Sequence, residues 1–294
     1  MNMVGPGGES PVTSDEPAMT SGGTANAARP LPFDTSVANQ ARVYDFLLGG
    51  KDNYAADRAA AEAVLKIAPE TVFTARANRA FLGRVVRYLT GQEGIRQFLD
   101  IGTGIPTAGN THQVAQAIAP ETRVVYVDYD PIVLAHARAL LTGGGAGATE
   151  YIDADVRDAD KILSQARQLL DFREPVAITM VSLMHAIPDS DDPHAIVARL
   201  LDAVPPGSFV AMSHMASDIL DDSKQQGLES ATGRLIQQQL TYRSRAQVAR
   251  FFAGTDLVPP GLVRVEEWRP DGDAAEATRS FLWSGVGRKP GRLS

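Results

Sequence analysis

Asp100-Ile101-Gly102-Thr103-Gly104 places a carboxylate two residues before a Gly-x-Gly turn. Glycines lack a Cβ, so backbone N–H groups in such a turn can approach a ligand closely. The carboxylate selects the ligand: it repels a pyrophosphate and attracts a cationic group such as an ammonium or a sulfonium. Asp128 follows Gly104 near the spacing of ~20 residues at which an acid grips ribose hydroxyls in nucleotide-binding folds. Two charge-assisted hydrogen bonds to a diol contribute ~1.5–3 kcal/mol each. Tyr129, beside it, offers a ring to adenine or ribose. In Asp153-Ala154-Asp155-Val156, Asp155 can accept from an adenine amine while Val156 offers its N–H to the ring. Ser182-Leu183-Met184-His185 supplies backbone beside the reacting atom. Singly these features are common, and an acid at a strand end is more often a helix cap, as Asp130 before Pro131 and Asp158 read. Their order and spacing together point to a nucleoside site.

The partner side of such a site is less sharply marked. His185 is the candidate base, because it follows a strand end and an ordinary histidine titrates near ~6.5. His214 holds the equivalent place one strand later, with a weaker claim. Tyr44, Lys51, Asn53 and Tyr54 cluster around Gly49-Gly50 and read as a loop that closes over ligand or partner. Arg79, rather than Arg76, is the candidate for a bidentate grip on a carboxylate. Asn110 and His112 are placed to brace the glycine loop. The five histidines have no metal-ligand spacing, so no metal site is expected, and Asp189, Asp191 and Asp192 read as a solvated acidic loop. No Gly-x-Ser-x-Gly elbow is present.

The elements that must position these groups follow from periodicity. Val37, Ala41, Tyr44 and Leu48 recur at helical spacing up to Gly49-Gly50; a second helix follows Asp52-Asn53 and ends before Pro69; a third starts near Thr71, with Phe73, Ala77, Phe81, Val85 and Leu89 as its apolar stripe. After Gly94 short apolar strands alternate with helices. The strands are expected at Gln97–Asp100, Val124–Asp128, Glu150–Asp153, Val176–Ser182 and Ser208–Ser213. Helices are expected near Thr107–Ala119, Pro131–Leu141, Asp158–Leu170 and Pro193–Ala203. This alternation predicts an α/β fold with a parallel, doubly wound sheet and right-handed crossovers. The last third predicts helices near Ala216–Leu240 and Ser244–Ala253, then a late antiparallel hairpin at the sheet edge. Residues 1–36, rich in Gly, Pro, Ser, Thr and Ala, read as a disordered tail. Residues 37–92 read as a helical cap and 93–290 as the core.

Composition removes several function classes. Of 294 residues, none is cysteine, which excludes disulfides, thiolate catalysis and cysteine-ligated metals. The net charge of −7 opposes a nucleic-acid partner. No apolar run approaches the ~18–20 residues that span a bilayer, and no secretory signal pattern opens the chain, so a cytoplasmic protein without a membrane partner is expected. Oligomeric state is not legible.

The segment from Phe98 to Asp155 resembles the class I S-adenosylmethionine-dependent methyltransferases. Gln40-Ala-Arg-Val-Tyr-Asp-Phe-Leu-Leu-Gly-Gly-Lys-Asp-Asn-Tyr54, Asn78-Arg-Ala-Phe81, Gln97-Phe-Leu-Asp-Ile-Gly-Thr-Gly-Ile-Pro106, Val125-Tyr-Val-Asp-Tyr-Asp-Pro131 and Gly285-Val-Gly-Arg288 are similar to one actinobacterial methyltransferase family of unassigned substrate. The resemblance runs from about Ser36 to Pro290. It implies a Rossmann-like, mostly parallel seven-stranded sheet with an antiparallel C-terminal hairpin and an N-terminal helical lid. It implies S-adenosylmethionine as cofactor, with Asp128 on ribose and Asp155 near adenine, and methyl transfer to a small-molecule acceptor. Two alternatives stand beside it: a cofactor-binding regulatory module without catalysis, and an NAD-dependent oxidoreductase. Asp100 and the lack of a full Gly-x-Gly-x-x-Gly, Thr107 holding the third position, count against the latter.

Overall fold

The computed structural model describes residues 34–106, 109–140, 147–236, 238–272 and 279–291. The expected tail, residues 1–36, lies outside them except at its end. Three helices come first: α1 (Gln40–Leu48), α2 (Ala55–Ile67) and α3 (Thr71–Gly91). Asn39 starts α1, its Oδ1 accepting from the N–H groups of Ala41 at 2.8 Å and Arg42 at 3.4 Å. Gly49, at φ +83°, closes it, the left-handed position at which glycine carries no steric penalty. A buried ion pair, Arg42 Nε to Asp57 Oδ1 at 3.0 Å, ties α1 to α2. Asp57 also accepts from the N–H groups of Asn39 and Tyr54, which satisfies a charge that burial alone would penalise.

The alternating part follows: β1 (Gln97–Ile101), α4 (Thr111–Ile118), β2 (Arg123–Asp128), α5 (Pro131–Leu140), β3 (Thr149–Asp153), α6 (Ala159–Ala166), β4 (Ala177–Val181), α7 (Pro193–Asp202) and β5 (Phe209–Met215). Then come α8 (Asp222–Leu235), α9 (Arg245–Ala249), β6 (Asp256–Leu257), β7 (Val263–Arg264) and β8 (Leu282–Arg288). The sheet order is β3-β2-β1-β4-β5-β8-β6, with β7 also paired to β8. The first five strands are parallel, and β8 runs antiparallel to β5. Seven sheet positions therefore contain eight strands, because two-residue β6 and β7 share the outer side of β8. Such short edge strands offer little for another chain to pair with.

Strand alternation divides the core. Leu99 and Ile101 join Val125, Val127, Ile178 and Met180 against α6 and α7. Phe98 joins Val124, Tyr126, Ala177 and Phe209 against Phe81, Val85 and Leu89 of α3. Burying one such side chain, Phe81 for example, stabilises by ~1.5–3 kcal/mol. The same alternation turns Asp100 toward α3 and α4. The chain runs outward from β1 to β2 and β3, then returns to β4 on the other flank of β1. That reversal opens a crevice at the carboxyl ends of β1 and β4, where open α/β sheets bind ligands. Among the described residues no helix is long and apolar enough to cross a membrane.

Candidate active site

A cavity of about 520 Å³ lies at this switch point, roofed by α1. All ten residues expected to hold the nucleoside line it: Asp100, Gly102, Thr103, Gly104, Asp128, Tyr129, Asp155, Val156, Ser182 and Arg79. They arrive from β1, β2, β3, β4 and α3, so the sheet register gathers groups that are far apart in sequence.

The glycine turn differs from the expectation in one respect. Its N–H groups are spent on the protein: Gly102 and Thr103 donate to the Val127 carbonyl at 2.8 and 3.3 Å, and Gly104 donates to Asp128 Oδ2 at 2.9 Å. The physical reason is that β2 lies alongside and ends level with the turn. A pyrophosphate would therefore find no ring of free donors here. What the turn offers is close approach. Gly102 (φ +74°) has no room for a side chain, since a Cβ would sit 2.7 Å from Leu183 Cδ1. Gly104 (φ +64°) borders open space where its Cβ would be.

Asp100 is buried, and its oxygens accept from Thr179 Oγ1 and Thr111 Oγ1, both at 2.6 Å. Thr179 is its cross-strand neighbour on β4. Burial pushes the Asp100 carboxyl above the usual range, against the pull of the two threonine hydroxyls. Asp128 accepts from the N–H groups of Gly104 and Asp130, and burial raises it as well. Asp130 accepts from the Ile132 N–H at 2.7 Å, which caps α5, and from the Asn39 amide of α1. Asp155 is held by Arg157, whose N–H and guanidinium reach its two oxygens at 2.9 and 2.8 Å. Arg157 also pairs with Asp191.

Ser182, just past β4, has φ +57°, a backbone state that costs a non-glycine residue about 1–3 kcal/mol unless its surroundings impose it. A ring of hydrogen bonds does so. The Ser182 N–H donates to Ser213 Oγ at 2.9 Å, Ser213 Oγ donates to Asn78 Oδ1 at 2.6 Å, and Asn78 Nδ2 donates to Ser182 Oγ at 2.9 Å. Asn78 Nδ2 also donates to the Tyr44 hydroxyl, which donates to the Ala75 carbonyl, both at 3.0 Å. Burial raises the Tyr44 phenol above its ordinary value. Arg79 donates to Asn110 Oδ1 at 2.9 Å. His112 donates from its backbone to the Tyr126 hydroxyl, bracing the start of α4 rather than the glycine turn itself.

Several expected partner-side residues fall elsewhere. His185 is 1% exposed and does not line the cavity. Burial, with His214 and Arg243 nearby, pushes it down to about 3, which weakens it as a proton acceptor near neutral pH. It lies behind the wall, edge-on to His214 at 5.8 Å and 3.3 Å from the Gln40 amide. His214, lowered to about 4 chiefly by burial, contacts the buried Arg243 at 2.8 Å. Arg243 also bonds the carbonyls of Met184 and Ile187 and pairs with Asp189, pinning the segment after β4. Of the expected loop residues, only Tyr44 lines the cavity; Lys51, Asn53 and Tyr54 do not. Asn53 bonds Asp45 and the Gly50 carbonyl, and Tyr54 stacks under Arg42. Asp191 and Asp192 serve an ion pair and the cap of α7. Among the described residues no His, Cys, Asp and Glu cluster could hold a metal.

Asn39, Gln40, Asp45 and Asn78 also line the cavity and were not singled out. Gln40, Asp45 and Asn78 fall in the two N-terminal stretches that carry the family resemblance; Asn39 lies one residue before the first of them.

A glycine turn at β1, acids after β2 and β3 and a nucleoside-sized crevice at the β1/β4 switch point define a Rossmann-like nucleoside-binding fold of the methyltransferase kind. The chain belongs to the S-adenosyl methyltransferase family, which it matches over residues 26–290, and S-adenosylmethionine is the cofactor of that family. It is similar to a DUF574 family protein from Streptomyces avermitilis, with 41% identity, 87% of this chain and 99% of that one covered, and a TM-score of 0.83. A candidate methyltransferase from Thermobifida fusca is similar at 40% identity, with 87% and 97% covered and a TM-score of 0.80. No curated protein matches the chain.

Proposed function

We propose that the protein transfers a methyl group from S-adenosylmethionine to a small-molecule acceptor by in-line displacement. The observation that carries this reading is the convergence of all ten nucleoside residues on one roofed cavity. Its volume of about 520 Å³ lies in the ~300–1,000 Å³ range of small-ligand sites. Five aspartates and two arginines line it, a balance that favours a sulfonium over a pyrophosphate. The spent N–H groups of the glycine turn speak against a dinucleotide on the same grounds.

Asp128 would hold the ribose through its remaining lone pairs, Asp155 and Val156 the adenine, and the open face of Gly104 the methionine chain. The bound cofactor supplies a methyl on an electrophilic sulfur. The protein orients the acceptor and excludes water. Exclusion falls to α1, part of the helical cap at residues 37–92 that covers the core at 93–290, and the acceptor enters between α1 and the segment after α8, where Ile236, Gln238 and Gln239 line the cavity. Ser182, locked by Asn78, lines the same cavity. The net charge of −7 and the small-ligand volume of the cavity support a small acceptor rather than nucleic acid, and the same reading keeps the protein in the cytoplasm.

Calorimetry and thermal unfolding with S-adenosylmethionine, S-adenosylhomocysteine and NAD test the proposal. At 100 times its dissociation constant, a ligand specific for the folded state adds ~2.7 kcal/mol of stability. Stabilisation by NAD alone would overturn the assignment. Label from methyl-labelled cofactor should appear in a small-molecule fraction of cell extract; its absence there, with label in protein or nucleic acid, would overturn the acceptor class.

A further inference from the structure

Of the five cavity aspartates, four have a hydrogen-bond donor on each carboxylate oxygen: Asp100, Asp128, Asp130 and Asp155. Asp45 of α1 is different. The Asp52 N–H and the Asn53 amide both donate to its Oδ2, each at 2.9 Å, and Oδ1 accepts from nothing among the described residues. Asp45 is 2% exposed yet lines the cavity. A carboxylate removed from bulk water without a cation is costly, and none of the ion pairs among the described residues includes Asp45.

The surrounding sequence is arranged around this side chain. The Gly49-Gly50 turn reverses the chain so that Asp52 and Asn53 meet Oδ2. A Cβ on Gly50 would lie 1.9 Å from Oδ1, so glycine at this position keeps that oxygen's place clear. Gly50 does not have a positive φ; its small size matters through this contact.

We propose that Asp45 Oδ1 is the cavity's binding site for a cationic nitrogen, an ammonium carried either by the amino-acid end of the cofactor or by an amine acceptor. The inference rests on the methyltransferase reading of the cavity. Asp100, the residue the sequence suggests for an amino group, is buried with a threonine hydroxyl on each oxygen, whereas Asp45 Oδ1 has no donor among the described residues. Oδ2, anchored by the turn, fixes the carboxylate plane, so that Oδ1 takes a donor without rotamer cost.

The test measures affinities of the full chain, wild type and Asp45→Asn, for three probes. S-adenosylhomocysteine carries the α-ammonium, 5′-methylthioadenosine lacks the amino-acid end, and sinefungin adds an ammonium where the methyl resides. If the cofactor's ammonium is the ligand, Asp45→Asn weakens S-adenosylhomocysteine at least tenfold and spares methylthioadenosine. If an acceptor amine is the ligand, it spares both and removes at least tenfold of sinefungin's affinity. Gly50→Ala, whose Cβ would lie 1.9 Å from Oδ1, 2.4 Å from Cγ and 2.6 Å from Oδ2 and so must displace the Asp45 carboxylate, should give the same selective loss. Unchanged affinities for all three probes in both variants would overturn the inference and leave the methyltransferase reading standing. So would an equal loss for all three, the signature of a purely structural role. Failure of the wild-type protein to bind any of the probes would overturn both.

Discussion

Gly102→Ala and Gly104→Ala should separate architecture from ligand space within one turn. Both positions are left-handed, at φ +74° and +64°, so alanine costs ~1–2 kcal/mol at either from backbone strain alone. At Gly102 the new Cβ also meets Leu183 Cδ1 at 2.7 Å; forcing a methyl into packed space adds ~1–3 kcal/mol. The total of ~2–5 kcal/mol corresponds to a fall in Tm of roughly 4–20 °C for a domain of this size. At Gly104 nothing lies within 4 Å of the Cβ, and the fall should stay near ~2–8 °C. Ligand affinity should show the reverse order. Gly104→Ala fills cavity space and should weaken S-adenosylhomocysteine at least tenfold, ~1.4 kcal/mol. Scanning calorimetry of the apo proteins and isothermal titration supply the two readouts. In Gly102→Ala, a second change, Leu183→Ala, should recover the clash but not the strain. Equal Tm losses in the two single variants, or unchanged affinity in Gly104→Ala, would refute the assignment of one glycine to packing and the other to the ligand.

Other perturbations follow from the same geometry. Asn78→Ala leaves Ser182, Ser213 and Tyr44 without their shared partner and should cost ~2–4 kcal/mol, since each buried polar group left unsatisfied costs about 1–3 kcal/mol; chemical denaturation would measure it, and a loss below 1 kcal/mol would contradict the ring of bonds around Ser182. Arg243→Met removes the guanidinium donor from the Met184 carbonyl, leaving it only the Ile187 N–H, and from the Ile187 carbonyl, so amide exchange should quicken across residues 183–189 while β1 stays protected. The folded-state values of His185 and His214, about 3 and about 4, lie below the ordinary 6.5. The unfolded chain therefore binds more protons between these values, and stability contributed above pH 6.5 is lost as pH falls toward 4. Denaturation midpoints against pH should show this slope, flattened in His214→Gln; an unchanged slope would place these titrations elsewhere.

Much of the scaffold was legible because its signals are local. The apolar stripe of α3, the caps at Asp130 and Asp158 and the short apolar strands all depend on residues a few positions apart. The helix expected at Ala216–Leu240 shrank to Asp222–Leu235, and that expected at Asp158–Leu170 to Ala159–Ala166, since helix ends depend on tertiary capping more than on pattern. The glycine turn was legible as a turn. The destination of its N–H groups was not, because Val127 and Asp128 meet it only through parallel pairing.

The partner side shows where local reading ends. His185 suited a base by type and position, yet packing against His214 and Arg243 buries it and lowers its affinity for a proton. Lys51, Asn53 and Tyr54 suited a closing loop, yet the turn consumes Asn53 on Asp45 and α2 draws Tyr54 to Arg42. By itself, the sequence determined the order of strands and helices, the acids at the strand ends and the family, because residue type and spacing carry those. The three-dimensional packing alone decided which polar atoms are already spent and which remain for a ligand. Hydrogen-bond partners such as Asn78 and Ser213, 135 positions apart, are chosen by the sheet and not by the chain.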